Sequence, residues 1–258
     1  MTAFIECDSH LITSPDQNLC WRTWRRYFEG NRHPAPLEID AAGIPVDTIL
    51  RRCLAKTFSI FQLGEAGEGR IAKEAWRFKS STVDDHWRVA LTHWVREEGR
   101  HGRLLGDCAR ALGGKPLSKN WTNTLLIFGR RLLGIRLKLL VVLSAEVIGI
   151  TFYGLLARAL PGSSIQRALQ TIALDEEKHL EFHALFFRRQ TSRRWQRILF
   201  WAAWMTVGTA AGAAVLIDHA QTFRYLGIDR FNAARRFMAL LVETARTVTS
   251  APTPRTAR

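Results

Sequence analysis

The sequence predicts an all-α protein: a four-helix bundle preceded by an N-terminal arm and followed by a helical extension. Three observations point there. No stretch alternates apolar and polar residues as a half-buried strand would, and apolar positions recur instead at helical intervals. Turn residues divide residues 46–190 into four helices, each far longer than the average of about 11 to 12 residues, as an extended bundle requires. Two of those helices carry a Glu-x-x-His segment, Glu98-Gly99-Arg100-His101 and Glu176-Glu177-Lys178-His179.

In chain order, residues 1–45 hold Pro15, Pro34, Pro36 and Pro45 and read as an arm, with one short helical candidate from about Cys20 to Glu29. The bundle begins at Asp47, an N-cap residue just after Pro45, and its first helix is expected to reach about Lys79. Ile49, Leu54, Phe58, Phe61 and Ile71 trace its buried face. Ser80-Ser81-Thr82 breaks it. The second helix runs from about Val83 to Leu112 and stops at Gly113-Gly114, with Pro116 beyond. A polar connection from Lys115 to about Asn123 leads into a long apolar third helix ending at Leu160. Pro161-Gly162 turns the chain, and the fourth helix spans about Ser164 to Arg189.

Residues 191–248 form the extension, and 249–258 read as a disordered tail. Within the extension Ile198 to Ile217 carries no charge, and Arg193, Arg194 and Arg197 flank it. Length, basic flank and Trp201 and Trp204 fit a membrane span, whereas Gly208, Gly212, Thr206, Thr209 and many alanines weaken insertion. Arginines at 224, 230, 235 and 236 would also leave basic residues on both sides of a single span. A helix buried against the bundle balances the interfacial and spanning alternatives taken together.

With 47% apolar residues the chain is globular. Its formal charge of +14 suits an acidic partner such as nucleic acid or anionic lipid, although no dense basic block with interleaved aromatics stands out. Cys7, Cys20, Cys53 and Cys108 have no paired spacing, and the N-terminal residues lack the pattern of a signal peptide. Reduced thiols and a cytoplasmic protein are expected.

On a helix, residues i and i+3 share a face, so Glu98 and His101 can reach one metal ion, as can Glu176 and His179. With 13 Glu and 8 His in 258 residues, chance supplies about 0.4 such matches. Two are present, each with an acid immediately before its Glu: Glu97 and Asp175. Those acids are placed to hydrogen-bond ligand imidazoles. Two-metal carboxylate bundles need one further glutamate from each of the other two helices. Glu146 is alone in the apolar third helix, where a carboxylate is costly unless paired or metal-bound. The first helix offers Glu65, preferred over Glu68 one turn later. Glu146 and Glu176 lie symmetrically about Pro161, and Glu65 and Glu98 about the Ser81–Thr82 break, which puts both pairs about 22 Å from their turns. His93 and His183 read as core or surface histidines, and Tyr153 as a core tyrosine with its hydroxyl bonded.

Gly64-Glu65 with Arg70-Ile71, the Glu97-Glu98-x-x-His101 segment, Ala145-Glu146 and Asp175-Glu176-x-x-His179 resemble the ferritin-like di-iron carboxylate superfamily, with rubrerythrins and demethoxyubiquinone hydroxylases nearest in pattern. The likeness covers about residues 55 to 185. It implies that Glu98 and Glu176 bridge two metal ions, that His101 and His179 cap them, and that Glu65 and Glu146 complete the set. The chain lacks the Cys₄ iron site of rubrerythrin, which implies an external electron donor. Leu143 stands where rubrerythrin has a second carboxylate, which argues against its peroxidase chemistry.

The resemblance thus implies two iron ions, with manganese or a mixed site as alternatives, and O₂ as co-substrate. The activity expected is that of an oxidase or monooxygenase on a small apolar or amphipathic substrate. Alternatives are a ferroxidase or iron-handling protein, and a hydroxylase directed at RNA or at a membrane quinone. Peripheral association with an anionic membrane, at its inner face, and a homodimer are compatible with this reading.

Overall fold

The computed structural model describes residues 17–32, 36–40, 46–65, 69–121 and 134–250. Among them the regular structure is helical, with no strand: α1 (Gln17–Gly30), α2 (Thr48–Glu65), α3 (Gly69–Arg77), α4 (Asp85–Ala111), α5 (Ile135–Ala159), α6 (Ser164–Gln190), α7 (Arg194–Asp218), α8 (Ala220–Tyr225) and α9 (Arg230–Thr249).

Helix caps account for most of the boundaries, Asp47 as expected and Asp84 and Ser163 in addition. Asp47 Oδ1 accepts from the Leu50 amide at 2.7 Å, Asp84 from Trp87 at 2.9 Å and Ser163 from Gln166 at 2.9 Å. Each satisfies an amide that a helix N-terminus leaves without an intrahelical partner. Gly113 closes α4 at φ 80°, and the Gly113 and Gly114 amides return to Arg110 and Ala109 carbonyls, both at 2.8 Å. Gly162, at φ 74°, makes the turn between α5 and α6.

One element differs from expectation. In place of one long first helix the described residues give two, α2 ending at Glu65 and α3 starting at Gly69. Three glycines in Gly64-Glu65-Ala66-Gly67-Glu68-Gly69 lower helix propensity there. Glu68, the rival to Glu65, lies outside the described residues. So do the start expected for the third helix, the tail from residue 251, and Cys7. Cys53 and Cys108 carry free thiols.

The hairpin α2–α4 packs beside the hairpin α5–α6, α1 lies along α4, and α7 and α9 cover α5. The core is split in two. One cluster holds Trp94 of α4, Leu143 of α5 and Phe182 of α6, and the other holds Leu105, Phe152 and Ile172 of the same helices. The acidic and histidine positions fall in the layer between them. Trp21, Trp24 and Phe28 of α1 are buried in the first cluster, so the helical candidate of the arm is a packed element.

The apolar run of the extension takes an intermediate position. Phe200, Trp204, Gly208 and Gly212 of α7 are buried, and a Cβ at Gly208 would overlap the Leu241 side chain of α9. Trp204 Nε1 donates to the Leu241 carbonyl at 2.8 Å, and Trp201 Nε1 to Thr249 Oγ1 at 3.0 Å. The opposite face is open, with Ile198 and Leu199 at 69% and 58% exposure. A wholly buried helix is therefore not what forms, because α5 and α9 cover only one side of α7. The helices Ile135–Ala159 and Arg194–Asp218 are both long and apolar enough to cross a membrane, and the first is mostly buried in the bundle.

At the α7–α8 junction His219 Nδ1 lies 3.0 Å from Thr57 Oγ1, which is 2.7 Å from Thr222 Oγ1. Burial pushes His219 down to about 4. An unfolded histidine titrates near 6.5, so between those values the unfolded chain binds a proton that the folded chain excludes. The neutral ring's advantage is complete above about pH 6.5 and is lost as pH falls toward 4, a change of about 3 kcal/mol at most. In His219→Gln the acid-side slope of stability, read by urea denaturation, should flatten by a part of that amount.

Candidate metal centre

The i, i+3 spacing on α4 and α6 turns Glu98 and His101 toward Glu176 and His179. One ligand atom from each of these four buried residues lies within 4.8 Å of the others. The facing nitrogens and oxygens are close: His101 Nδ1 to Glu176 Oε1 3.2 Å, His179 Nδ1 to Glu98 Oε1 2.8 Å and His179 Nδ1 to Glu176 Oε2 3.3 Å. The two imidazoles stack with centroids 5.4 Å apart.

The other ring nitrogens are engaged outward. His101 Nε2 lies 3.1 Å from Asp175 Oδ2, and His179 Nε2 lies 2.9 Å from Glu97 Oε2. The acids that precede the two motif glutamates thus do reach imidazoles, and they do so crosswise: the α4 acid holds the α6 histidine and the α6 acid holds the α4 histidine. A carboxylate at Nε2 fixes the proton there and leaves the Nδ1 lone pair turned to the centre. Arg100, 3.3 Å from Glu97 and 3.9 Å from Asp175, balances both outer acids.

This donor set fits a hard, positively charged guest. His101 Nδ1 and Glu98 Oε1 are buried, and neither makes a hydrogen bond of acceptable geometry despite its near neighbours, so both aim into a shared space. The electrostatics point the same way. Burial resists charge on His101, yet the Asp175 and Glu176 carboxylates beside it carry it up to about 9. His179 is likewise raised well above the ordinary histidine range against the effect of burial, by Glu176, Glu97 and Glu98. Protons on the imidazoles answer a demand for positive charge that a metal ion would meet.

The remaining carboxylates flank the quartet. Glu65 is half-buried as a residue, with its carboxyl end turned inward, where it accepts the Tyr153 O–H at 2.9 Å. Burial and the Glu98 carboxyl, to which it hydrogen-bonds, raise it well above the carboxylate range. Tyr153 is a bonded core tyrosine, and its partner is the Glu65 carboxylate. Glu146 is buried on α5, its Oε1 3.4 Å from His183 Nε2.

His183, set aside on sequence grounds, therefore lies against the centre, and burial pushes its ring down to about 3. Its position one turn after His179 was the available signal. Trp94, one turn before Glu98, was not singled out, and its ring stands edge-on to His183 at 4.8 Å. His93 is elsewhere, 3.2 Å from Arg96 and 3.8 Å from Glu29.

A cavity of about 340 Å³ adjoins the carboxylates. Glu65, Glu98, Glu146 and Glu176 line it on one side, aliphatic and aromatic residues of α2 and α5 on others, and residues of α7 between Thr206 and Val215 on the outer side.

No family model matches the sequence, and no curated protein matches it. Among solved structures the chain is similar to "Protein 19 with aldehyde deformylating oxidase activity from Synechococcus", at a TM-score of 0.63 and 17% identity, over 80% of this chain and 95% of that one. The chain thus has the fold of a ferritin-like helical bundle.

Proposed function

We propose that this protein is an O₂-activating di-iron oxidase or oxygenase acting on an apolar or amphipathic organic substrate. The observation that carries the reading is the apolar cavity whose one polar side is the carboxylate cluster Glu65, Glu98, Glu146 and Glu176. A ferroxidase has no use for an apolar chamber opening on its ligands, so the cavity favours an organic substrate over iron handling. The structural neighbour's aldehyde deformylating oxidase activity belongs to the same broad class.

Carboxylate oxygens with one imidazole on each side suit iron or manganese. Glu98, His101, Glu176 and His179 would hold the ions, with Glu65 and Glu146 completing the set. Bound iron would supply the redox chemistry with O₂. The chain's own residues do the remainder. Glu97 and Asp175 hold the imidazole tautomers, and Tyr153 holds Glu65 at the cavity wall. Phe61, Val142, Ile148 and Val207 line the cavity and exclude water from the reacting groups. Electrons would come from an external donor.

Ala211→Trp tests the assignment by filling the cavity from α7 without touching a proposed ligand. With reductant present, O₂ uptake by the iron-loaded wild type should rise on adding medium-chain aldehydes, alcohols or quinones. In the variant that stimulation should fall about tenfold or more at unchanged metal content. Continued oxidation of added Fe²⁺ into a retained ferric core would overturn the reading in favour of iron storage.

A further inference from the structure

We infer that the exposed face of α7 is a docking surface for an anionic lipid bilayer, with the helix lying in the plane of the interface beside the cavity mouth. The first observation is a surface that lacks what a surface helix in water carries. Exposed positions recur along α7 at intervals of three and four residues from Trp195 to Ile217, which is one continuous stripe. Trp195, Ile198, Leu199 and Ile217 in it are 55%, 69%, 58% and 67% exposed, and the positions between them are Ala and Thr. The stripe holds no charge over about 33 Å, whereas an ordinary amphipathic helix turns its charged residues outward. An apolar face of this length is larger than a soluble monomer normally leaves open.

The second observation is charge at both ends. Exposed Arg193 and Arg194 stand at the N-terminal end, and beyond the C-terminal end come exposed Arg224 and Arg230, beside exposed Tyr225 and Phe231. An in-plane helix can offer both sets to headgroups of one leaflet, with the apolar stripe sinking about 5 to 10 Å. A spanning helix would divide them between opposite sides. α7 is also tied to the bundle along its inner face through Phe200, Trp204, Gly208 and Gly212, so only one side is available to lipid. Charge selects the occupant. A second copy would bring another chain of formal charge +14 against the same arginines, and an anionic bilayer brings the opposite sign.

The third observation links the face to the interior. Thr206 and Ala210 are exposed in the stripe and also line the cavity, which places its mouth on the side that would face lipid. An apolar molecule could then pass between bilayer and cavity without crossing water. Docking itself depends on the surface alone, so it can hold whatever chemistry the metal centre performs.

The test is co-sedimentation of the full-length protein with vesicles of phosphatidylcholine alone or mixed with phosphatidylglycerol, at low and high salt. The wild type should bind the mixed vesicles at low salt and lose most of that binding in high salt. Ile198→Glu/Leu199→Glu and Arg193→Glu/Arg194→Glu should each bind about tenfold or more weakly while keeping the wild-type helical circular dichroism. An apolar-face variant that no longer folds is replaced by Ile198→Ser/Leu199→Ser, for which the same loss is expected. Absence of binding to mixed vesicles at low salt, equal binding to neutral vesicles, or sedimentation as a dimer that the Glu variants dissociate would each overturn the proposal. The last outcome would identify the face as an interface between copies. None of these readouts depends on O₂ or metal, so they fail independently of the proposed oxidase activity.

Discussion

Glu176→Ala should abolish most metal binding. Wild-type protein loaded anaerobically with ferrous iron is expected to hold about two ions per chain, and the variant about one or fewer. Glu176 is the carboxylate that contacts both imidazoles, at 3.2 Å from His101 Nδ1 and 3.3 Å from His179 Nδ1, so its loss removes a ligand from both sides at once. Glu98→Ala should behave similarly, since Glu98 approaches His179 and hydrogen-bonds Glu65. Glu65→Ala, at the edge of the cluster, should cost less than either. Glu176→Gln separates lost ligation from a collapsed core, because the amide retains volume and hydrogen bonding but coordinates poorly. Elemental analysis of the desalted proteins decides the matter: one ion in the wild type, or two in either Ala variant, would refute the assignment.

Glu97→Gln should weaken metal binding by about 10- to 100-fold without removing any ligand. The carboxylate 2.9 Å from His179 Nε2 keeps the proton on that nitrogen and makes Nδ1 a stronger donor. An amide can accept the same hydrogen bond but carries no charge. Asp175→Asn should produce the same kind of loss through His101, and a smaller one. The Glu97 side chain is 1% exposed and that of Asp175 19%, so water screens the second charge more than the first. Competition titration with Mn²⁺ gives both values, and equal affinities for wild type and Glu97→Gln would show that the outer acids only fill space.

Much of this centre is legible along the chain because its information is local. The Glu98–His101 and Glu176–His179 spacings follow from helix periodicity alone. Asp47 marks a helix start through a hydrogen bond that spans only three residues. The symmetry of Glu146 and Glu176 about Pro161 needs nothing beyond a constant rise per residue. Glu97 and Asp175, too, announce themselves by position, each adjoining a motif glutamate.

Which imidazole each acid reaches is a different kind of fact. Glu97 bonds to His179 across 82 residues, and Asp175 to His101 across 74, because helix rotation and crossing turn each acid toward the opposite helix. No periodicity within one helix encodes that rotation. The same holds for His183 beside Glu146 and for Tyr153 on Glu65, which are meetings of separate helices. The apolar run from Ile198 to Ile217 shows the division most plainly. Composition by itself determined an uncharged helix with basic flanks. Only the packing of α9 against Gly208 and Gly212 decided that one face would be buried and the other left open beside the cavity, because burial belongs to the neighbours a helix acquires and not to the residues it contains.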